Sequence, residues 1–251
     1  MASAYDQFDY LSYWEGREYE HEAEKIAIKS FLSHIKKLKT IIDIGAGYGR
    51  LTPMYLNYGK KVIITDPSKR LLDIAKAKYN KKNIKFIQSD IEGLPKKLAG
   101  QSCDVVILVR VIHHIENIDN LFKSIRKILN KNGYFILEFP NKRHLKAVVS
   151  EFLRGNLTYS LEISPKDQRC TKSINDGCLP FFNYHPDVIK EKLKNLGFDT
   201  VEIRSVSNFR NSTIKKIFPK KLCLYLEKYS QKFLAKFDFG PSLFILAQNK
   251  Q

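Results

Sequence analysis

Apolar positions along the chain follow two alternating spacings. Residues 18–38 set Ile28, Phe31, Leu32, Ile35 and Leu38 at helical intervals. The apolar stretch 40–44 then reads as a buried strand ending in a glycine turn, followed by a short helix at about 50–57. A strand at 61–65 ends at Asp66, and a helix over 68–79 begins at Ser68, a good N-cap. A strand at 84–88 ends near Ser89-Asp90, and a strand at 104–109 runs into a loop holding His113 and His114. A helix over 118–129 leads through Asn132-Gly133, a stop signal, into a strand at 134–139. Residues 140–183 break the rhythm, with Pro165, Pro180 and few periodic apolar positions. Regularity returns with a helix over 186–196, a strand at 198–206, a helical stretch 211–236 interrupted at Pro219, and a last strand at 242–248.

Strands alternating with helices at this spacing predict an α/β fold, a mainly parallel sheet with helices on both faces and right-handed crossovers. Ligands bind such sheets at the carboxyl ends of the strands. Gly45, Asp66, Asp90, Arg110, His113 and Glu138 all fall there. The irregular 140–183 stretch reads as an insertion over that edge, a substrate lid.

Composition narrows the class. The chain has 251 residues, 43% of them hydrophobic, enough for a sizeable core and too many for disorder. The longest apolar run, Val105–Val109, stops at Arg110, so no membrane span is expected. The first residues show neither a basic nor an apolar signal region, and Cys103, Cys170, Cys178 and Cys223 form no C-x-x-C pair. Reduced cysteines in a cytoplasmic protein are the expectation. The net charge of +17 divides into −4 over residues 1–35 and +21 over the rest. Lysines outnumber arginines 33 to 10 and scatter along helix faces, which fits a compositional bias better than a phosphate-reading surface. A nucleic-acid partner is therefore the less favoured reading of the charge.

The strongest chemical signal is the stretch Ile41-Ile42-Asp43-Ile44-Gly45-Ala46-Gly47-Tyr48-Gly49-Arg50. Its D-x-G-x-G-x-G spacing differs from the G-x-G-x-x-G of dinucleotide enzymes and from the phosphate loop G-x-x-x-x-G-K-[ST]. It resembles motif I of the class I S-adenosylmethionine-dependent methyltransferases. In this resemblance, Asp66 matches the acid that holds the ribose hydroxyls, and Ser89-Asp90-Ile91 matches the adenine-binding segment. There Asp90 would accept from the exocyclic amine, and Ile91 would pack on the ring. DVVILVRVIHHI and LNKNGYFILEFPN resemble the fourth- and fifth-strand segments of the type 11 methyltransferases. The resemblance covers residues 40–140. It implies a Rossmann-like seven-stranded sheet of order 3-2-1-4-5-7-6, with strand 7 antiparallel, and S-adenosylmethionine as cofactor (S-adenosylhomocysteine as product). The chain departs from that pattern in placing about 30 largely helical residues between the last two strands. The organisation expected is an N-terminal cap and helix over 1–39, then a methyltransferase domain over 40–251 with insertions at about 140–183 and 207–240.

The cofactor-binding residues implied are Asp43, Gly45, Ala46, Gly47, Tyr48, Arg50, Asp66, Pro67, Asp90, Ile91 and Arg110. Arg17 and Tyr13, from an aromatic N-terminal segment that also holds Trp14, join them as contacts to the cofactor's carboxylate end. Methyl transfer needs a base only when the acceptor must lose a proton. His114, and after it His113, are the candidates, since a neutral imidazole suits the role near pH 7. His185 reads as a cap or loop hydrogen bond, and Glu138 as a polar-substrate contact or a partner of Arg110 or Arg143. The leading function is methyl transfer to a small-molecule or lipid-like acceptor. RNA methylation and non-catalytic binding of S-adenosylmethionine are the other two readings.

Overall fold

The computed structural model describes residues 10–36 and 38–250. Residues 1–9 of the expected cap segment, with Asp6 and Asp9 of the acidic stretch, lie outside the described residues, as do Lys37 and Gln251. Seven strands form one sheet: β1 (Thr40–Ile44), β2 (Lys61–Asp66), β3 (Ile84–Gln88), β4 (Cys103–Leu108), β5 (Leu129–Pro140), β6 (Phe198–Val206) and β7 (Ser242–Asn249). Their order is β3-β2-β1-β4-β5-β7-β6, as the resemblance implied. The first five pair in parallel, Ile42 opposite Ile63 and Val106 and Val106 opposite Phe135. The last strand runs antiparallel between β5 and β6, with Leu246 beside Ile136.

Among the described residues there are nine α-helices: α1 (Glu18–His34), α2 (Lys69–Lys78), α3 (Leu94–Lys97), α4 (Ile118–Ile128), α5 (Leu145–Leu153), α6 (Thr171–Asn175), α7 (Pro186–Asn195), α8 (Ser212–Ile217) and α9 (Lys220–Leu234). Strand side chains alternate between two cores. Ile42, Ile44, Val106 and Leu108 join Leu121, Phe122 and Ile125 of α4 and Ile189 and Leu193 of α7. Ile41, Val105 and Ile107 join Ala27, Ile28, Phe31 and Leu32 of α1. Capping follows the side chains: Ser68 accepts from Leu71 N at 3.2 Å, and His185 caps α7 by accepting from Asp187 N.

Two expected boundaries are corrected. The helix anticipated at about 50–57 is only a single 3₁₀ turn, Thr52–Met54. Pro53 removes one backbone donor there, and Tyr55 turns its hydroxyl inward to Asp43 instead of continuing a helical face. Asn132 (φ 62°) and Gly133 do not end α4, which stops at Ile128. They lie in the irregular start of β5, where the pairing slips between Cys103 and Val105.

Residues 140–183 hold α5, α6 and a two-residue ladder between Lys166–Asp167 and Phe182–Asn183. The 30-residue departure between the last strands folds as α8 and α9 on either side of Pro219. Among the described residues, no helix is long and apolar enough to cross a membrane.

Candidate active site

A cavity of about 230 Å³ opens at the carboxyl ends of β1, β2 and β4. Its floor is the turn after β1. Gly45 (φ 68°) and Gly47 (φ 56°) take left-handed backbone there that L side chains rarely adopt. A Cβ at Gly45 would lie 2.3 Å from Val111 Cγ2, so the second need at Gly45 is close packing. A Cβ at Gly47 would meet only Leu71, at 3.8 Å, and would otherwise occupy the cavity. That position is cleared for a ligand.

Asp66 ends β2 with its carboxylate facing the same space. Oδ2 accepts from Gly47 N and Oδ1 from Ser68 N, each at 2.8 Å. These two bonds fix the carboxylate against the glycine turn. Asp90 sits exposed across the cavity, its Oδ1 accepting from Gly93 N at 2.7 Å. Ile91 and Pro67 lie beside it with Leu71, Val111 and Ile115, an apolar slot with acids at its edges. Ser89 is among the cavity's lining residues, and its Oγ is buried with no hydrogen-bond partner among the described residues. A buried hydroxyl left unpaired is costly unless a ligand engages it. Acceptor groups around an apolar slot, a glycine with no Cβ and an orphaned hydroxyl together fit a nucleoside.

The opposite wall carries His114 and Leu179. His114 Nδ1 donates to the Pro180 carbonyl at 2.7 Å, which leaves the lone pair of the neutral ring on Nε2. Burial lowers its pKa, and the Pro180 bond only partly opposes this. His113 does not line the cavity. It is buried, its ring 3.9 Å from that of His114 and 4.5 Å from that of Phe181, and its Nδ1 has no partner among the described residues. Burial, then the neighbouring His114 and Arg110, holds its pKa well below the ordinary value.

Arg50 and Arg110 are both ion-paired. Both converge on Glu24 of α1, which is fully buried. Arg50 Nη2 donates to Oε2 at 2.6 Å, and Arg110 Nε and Nη2 donate to Oε1 at 2.8 and 2.7 Å. Burial opposes ionisation of Glu24, yet the two guanidiniums outweigh it and hold its pKa below the usual value. Trp14 stacks over Arg50, 3.5 Å from ring centroid to guanidinium carbon. His21 Nδ1 accepts from Arg50 at 2.6 Å. Arg110 still reaches the cavity wall and holds a left-handed backbone (φ 61°). Its N–H donates to Glu138 Oε2 at 2.8 Å, and Ser242 Oγ donates to Oε1 at 2.6 Å. Glu138 thus anchors the backbone of Arg110, and among the described residues it makes no ion pair within 4 Å of an arginine side chain.

Asp43, Ala46, Tyr48 and Arg50 surround a smaller adjoining pocket, also bordered by Tyr10, Gly45 and Arg110. Burial raises the Asp43 carboxyl to about pH 7 against the opposing bond from Tyr55 Oη. Tyr10, which the sequence did not single out, lines both pockets. Its ring stacks 5.8 Å from that of Tyr13, and burial raises its pKa to about 12. Tyr13 therefore supports Tyr10 from behind. Arg17 packs its guanidinium over Tyr13, at 4.2 Å, and borders a separate cavity with His144, Lys146 and Arg210. The structure does not bring Arg17 to the nucleoside-shaped slot. Glu24 escaped the sequence reading because nothing local distinguishes it from the other acids of α1. Among the described residues no cluster of His, Cys, Asp and Glu forms a metal site.

The sheet order, the glycine turn and the two acids agree with the resemblance to the class I S-adenosylmethionine-dependent methyltransferases. Residues 42–137 match the family described as "Methyltransferase domain", and the chain carries such a domain over that stretch. A probable S-adenosylmethionine-dependent methyltransferase of Saccharomyces cerevisiae is 36% identical over 105 residues, 40% of this chain and 35% of the relative. A ubiquinone biosynthesis O-methyltransferase of Pelagibacter ubique is 32% identical over 117 residues, 46% of this chain and 47% of the relative. The chain thus spans less than half the length of these relatives. An S-adenosylmethionine-dependent methyltransferase of Mesorhizobium loti superposes with a TM-score of 0.61 at 17% identity, over 90% of this chain and 98% of that one, a likeness of fold.

Proposed function

We propose that the chain transfers a methyl group from S-adenosylmethionine to a small-molecule acceptor by in-line displacement. The observation that carries this reading is the meeting of Gly47, Asp66, Asp90 and His114 around one cavity. The bound cofactor supplies a methyl already activated on a sulfonium, so the protein's part is positioning in a water-poor pocket. Asp66 takes the ribose hydroxyls, Asp90 and Ile91 take the adenine, and Ser89 Oγ gives a further polar contact.

His114 stands where the acceptor meets the methyl. Its neutral ring presents Nε2 as a proton acceptor, which suits an acceptor hydroxyl that must be deprotonated. The relative from Pelagibacter ubique is named as an O-methyltransferase, which supports this chemistry. The 140–183 insertion acts as the lid. Leu179 closes the cavity wall, the Pro180 carbonyl orients His114, and Phe181 packs on His113.

Calorimetry with S-adenosylhomocysteine tests the donor site. Micromolar binding that Asp66→Ala weakens at least a hundredfold is expected, and no binding by the unaltered chain would refute the reading. A screen of metabolite extracts with labelled S-adenosylmethionine then identifies the acceptor.

A further inference from the structure

Helix α9 is amphipathic in the reverse sense for a helix lying on a protein core. Its inward face is polar: Cys223, Glu227 and Gln231 are its buried residues. Glu227 accepts from Tyr19 Oη at 2.6 Å, Ser207 N at 2.8 Å and Asn208 N at 3.0 Å. Gln231 Nε2 donates to the Ala23 carbonyl at 3.0 Å. The outward face is apolar. Leu222, Tyr225, Leu226, Tyr229 and Phe233 recur at helical intervals, Phe237 continues the line, and each is 41–64% exposed. Ile217 and Phe218, 66% and 45% exposed, extend it toward α8. Within the stripe, rings meet one another, Tyr225 with Tyr229 at 4.9 Å and Phe233 with Phe237 at 5.4 Å. Single exposed apolar residues are ordinary, whereas a continuous aromatic stripe marks an interaction surface.

Charge identifies what the surface meets. Residues 211–237 contain seven lysines and one acid, Glu227, which is buried. Lys215 pairs with Glu20 at 3.2 Å and Lys232 with Glu202 at 3.4 Å. Lys216, Lys220, Lys221, Lys228 and Lys236 make no ion pair among the described residues.

We infer that the 211–237 segment docks in the plane of an anionic lipid surface. Aromatic and leucine side chains would enter the headgroup boundary, and lysines would meet the lipid charge. At 15 residues, α9 is about 22 Å long, suited to lying along a bilayer surface rather than crossing it. A second copy packed through the same stripe would set lysines against lysines. A single nucleic-acid strand would meet the charge and the rings, but Ile217, Leu222 and Leu226 add exposed apolar area that base stacking does not use. The inference rests on α8 and α9 alone and stands apart from the cofactor and acceptor assignments.

Co-sedimentation of the intact chain with vesicles tests it, comparing pure phosphatidylcholine with phosphatidylcholine containing phosphatidylglycerol. Binding to the anionic vesicles at least tenfold tighter than to neutral ones is expected, weakening as salt is raised. Tyr229→Ser with Phe233→Ser should lower that partitioning tenfold or more while melting temperature and S-adenosylhomocysteine binding stay unchanged. Lys228→Ala and Lys236→Ala should each lower it about fivefold. No binding, or equal binding to both vesicles, would overturn the inference. So would a dimer that Phe233→Ser dissociates, or RNA retention that these variants abolish without vesicle binding.

Discussion

Asp43 gives a sharp test of the electrostatics beneath the glycine turn. Its carboxyl is fully buried, and burial raises its pKa from 3.8 to about 7 despite the bond from Tyr55. A raised acid in the folded state binds its proton more tightly than the unfolded chain does. Its contribution to stability is therefore full below the unfolded value near pH 4, declines as pH climbs from about 4 to about 7, and stays low above that. Each tenfold change in proton affinity is worth about 1.36 kcal/mol, so the decline amounts to about 4 kcal/mol. Asp43→Asn keeps the shape and an acceptor for Tyr55 but cannot titrate. The stability of Asp43→Asn relative to the unaltered chain should thus improve by about 3 kcal/mol between pH 4.5 and pH 8, the rest of the decline lying below pH 4.5. In a domain of this size that is a relative shift of about 6–12 °C in melting temperature. Thermal melts of both proteins across that range read the difference directly, and the background titration of every other group cancels. A difference that does not vary with pH would refute the claim that burial holds Asp43 protonated.

Three further outcomes follow from the site. Gly45→Ala and Gly47→Ala should part company. The first, with its Cβ 2.3 Å from Val111, should lower the melting temperature strongly, while the second should lower it by only a few degrees yet remove S-adenosylhomocysteine binding in calorimetry. Glu24→Ala strands two arginines and should cost about 3–5 kcal/mol in urea unfolding, with Glu24→Gln intermediate. His114→Ala should lower kcat by about 10²–10⁴ with cofactor affinity unchanged. Because burial lowers the pKa of His114, the acid limb of the unaltered enzyme's kcat/KM profile should fall below pH 6.5. Loss of cofactor binding instead of turnover in His114→Ala would assign His114 to the donor pocket.

The parts of the site legible in the sequence share one physical property. Gly45, Gly47, Asp66 and Asp90 each stand at the end of a strand or within three residues after it, and a parallel sheet carries all such positions to one edge. Their neighbours in space follow from strand order alone. Arg50 and Arg110 occupy equally telling positions, but their partner, Glu24, comes from a helix 26 and 86 residues away. No local periodicity marks an acid that faces a core. Tyr10 was missed for a related reason, since the aromatic N-terminal segment offers several rings and only packing selects which one reaches the cavity. The reversed helix α9 shows the limit of reading burial from pattern. Its apolar stripe predicts an inward face, yet Tyr19, Ala23 and the 207–208 turn supply enough hydrogen bonds to seat the polar face instead.

The polar seat of α9 also constrains how the chain assembles during synthesis. Tyr19 and Ala23 of α1 find their partners at Glu227 and Gln231, 208 residues later in each case. The glycine turn, both acids and His114 leave the ribosome long before those partners exist, so the cofactor cleft can take shape around a helix not yet locked in place. Helix α1, which carries the carboxylate that holds Arg50 and Arg110, is the first α-helix of the described chain to be made, yet two of its hydrogen-bond partners are made among the last thirty residues.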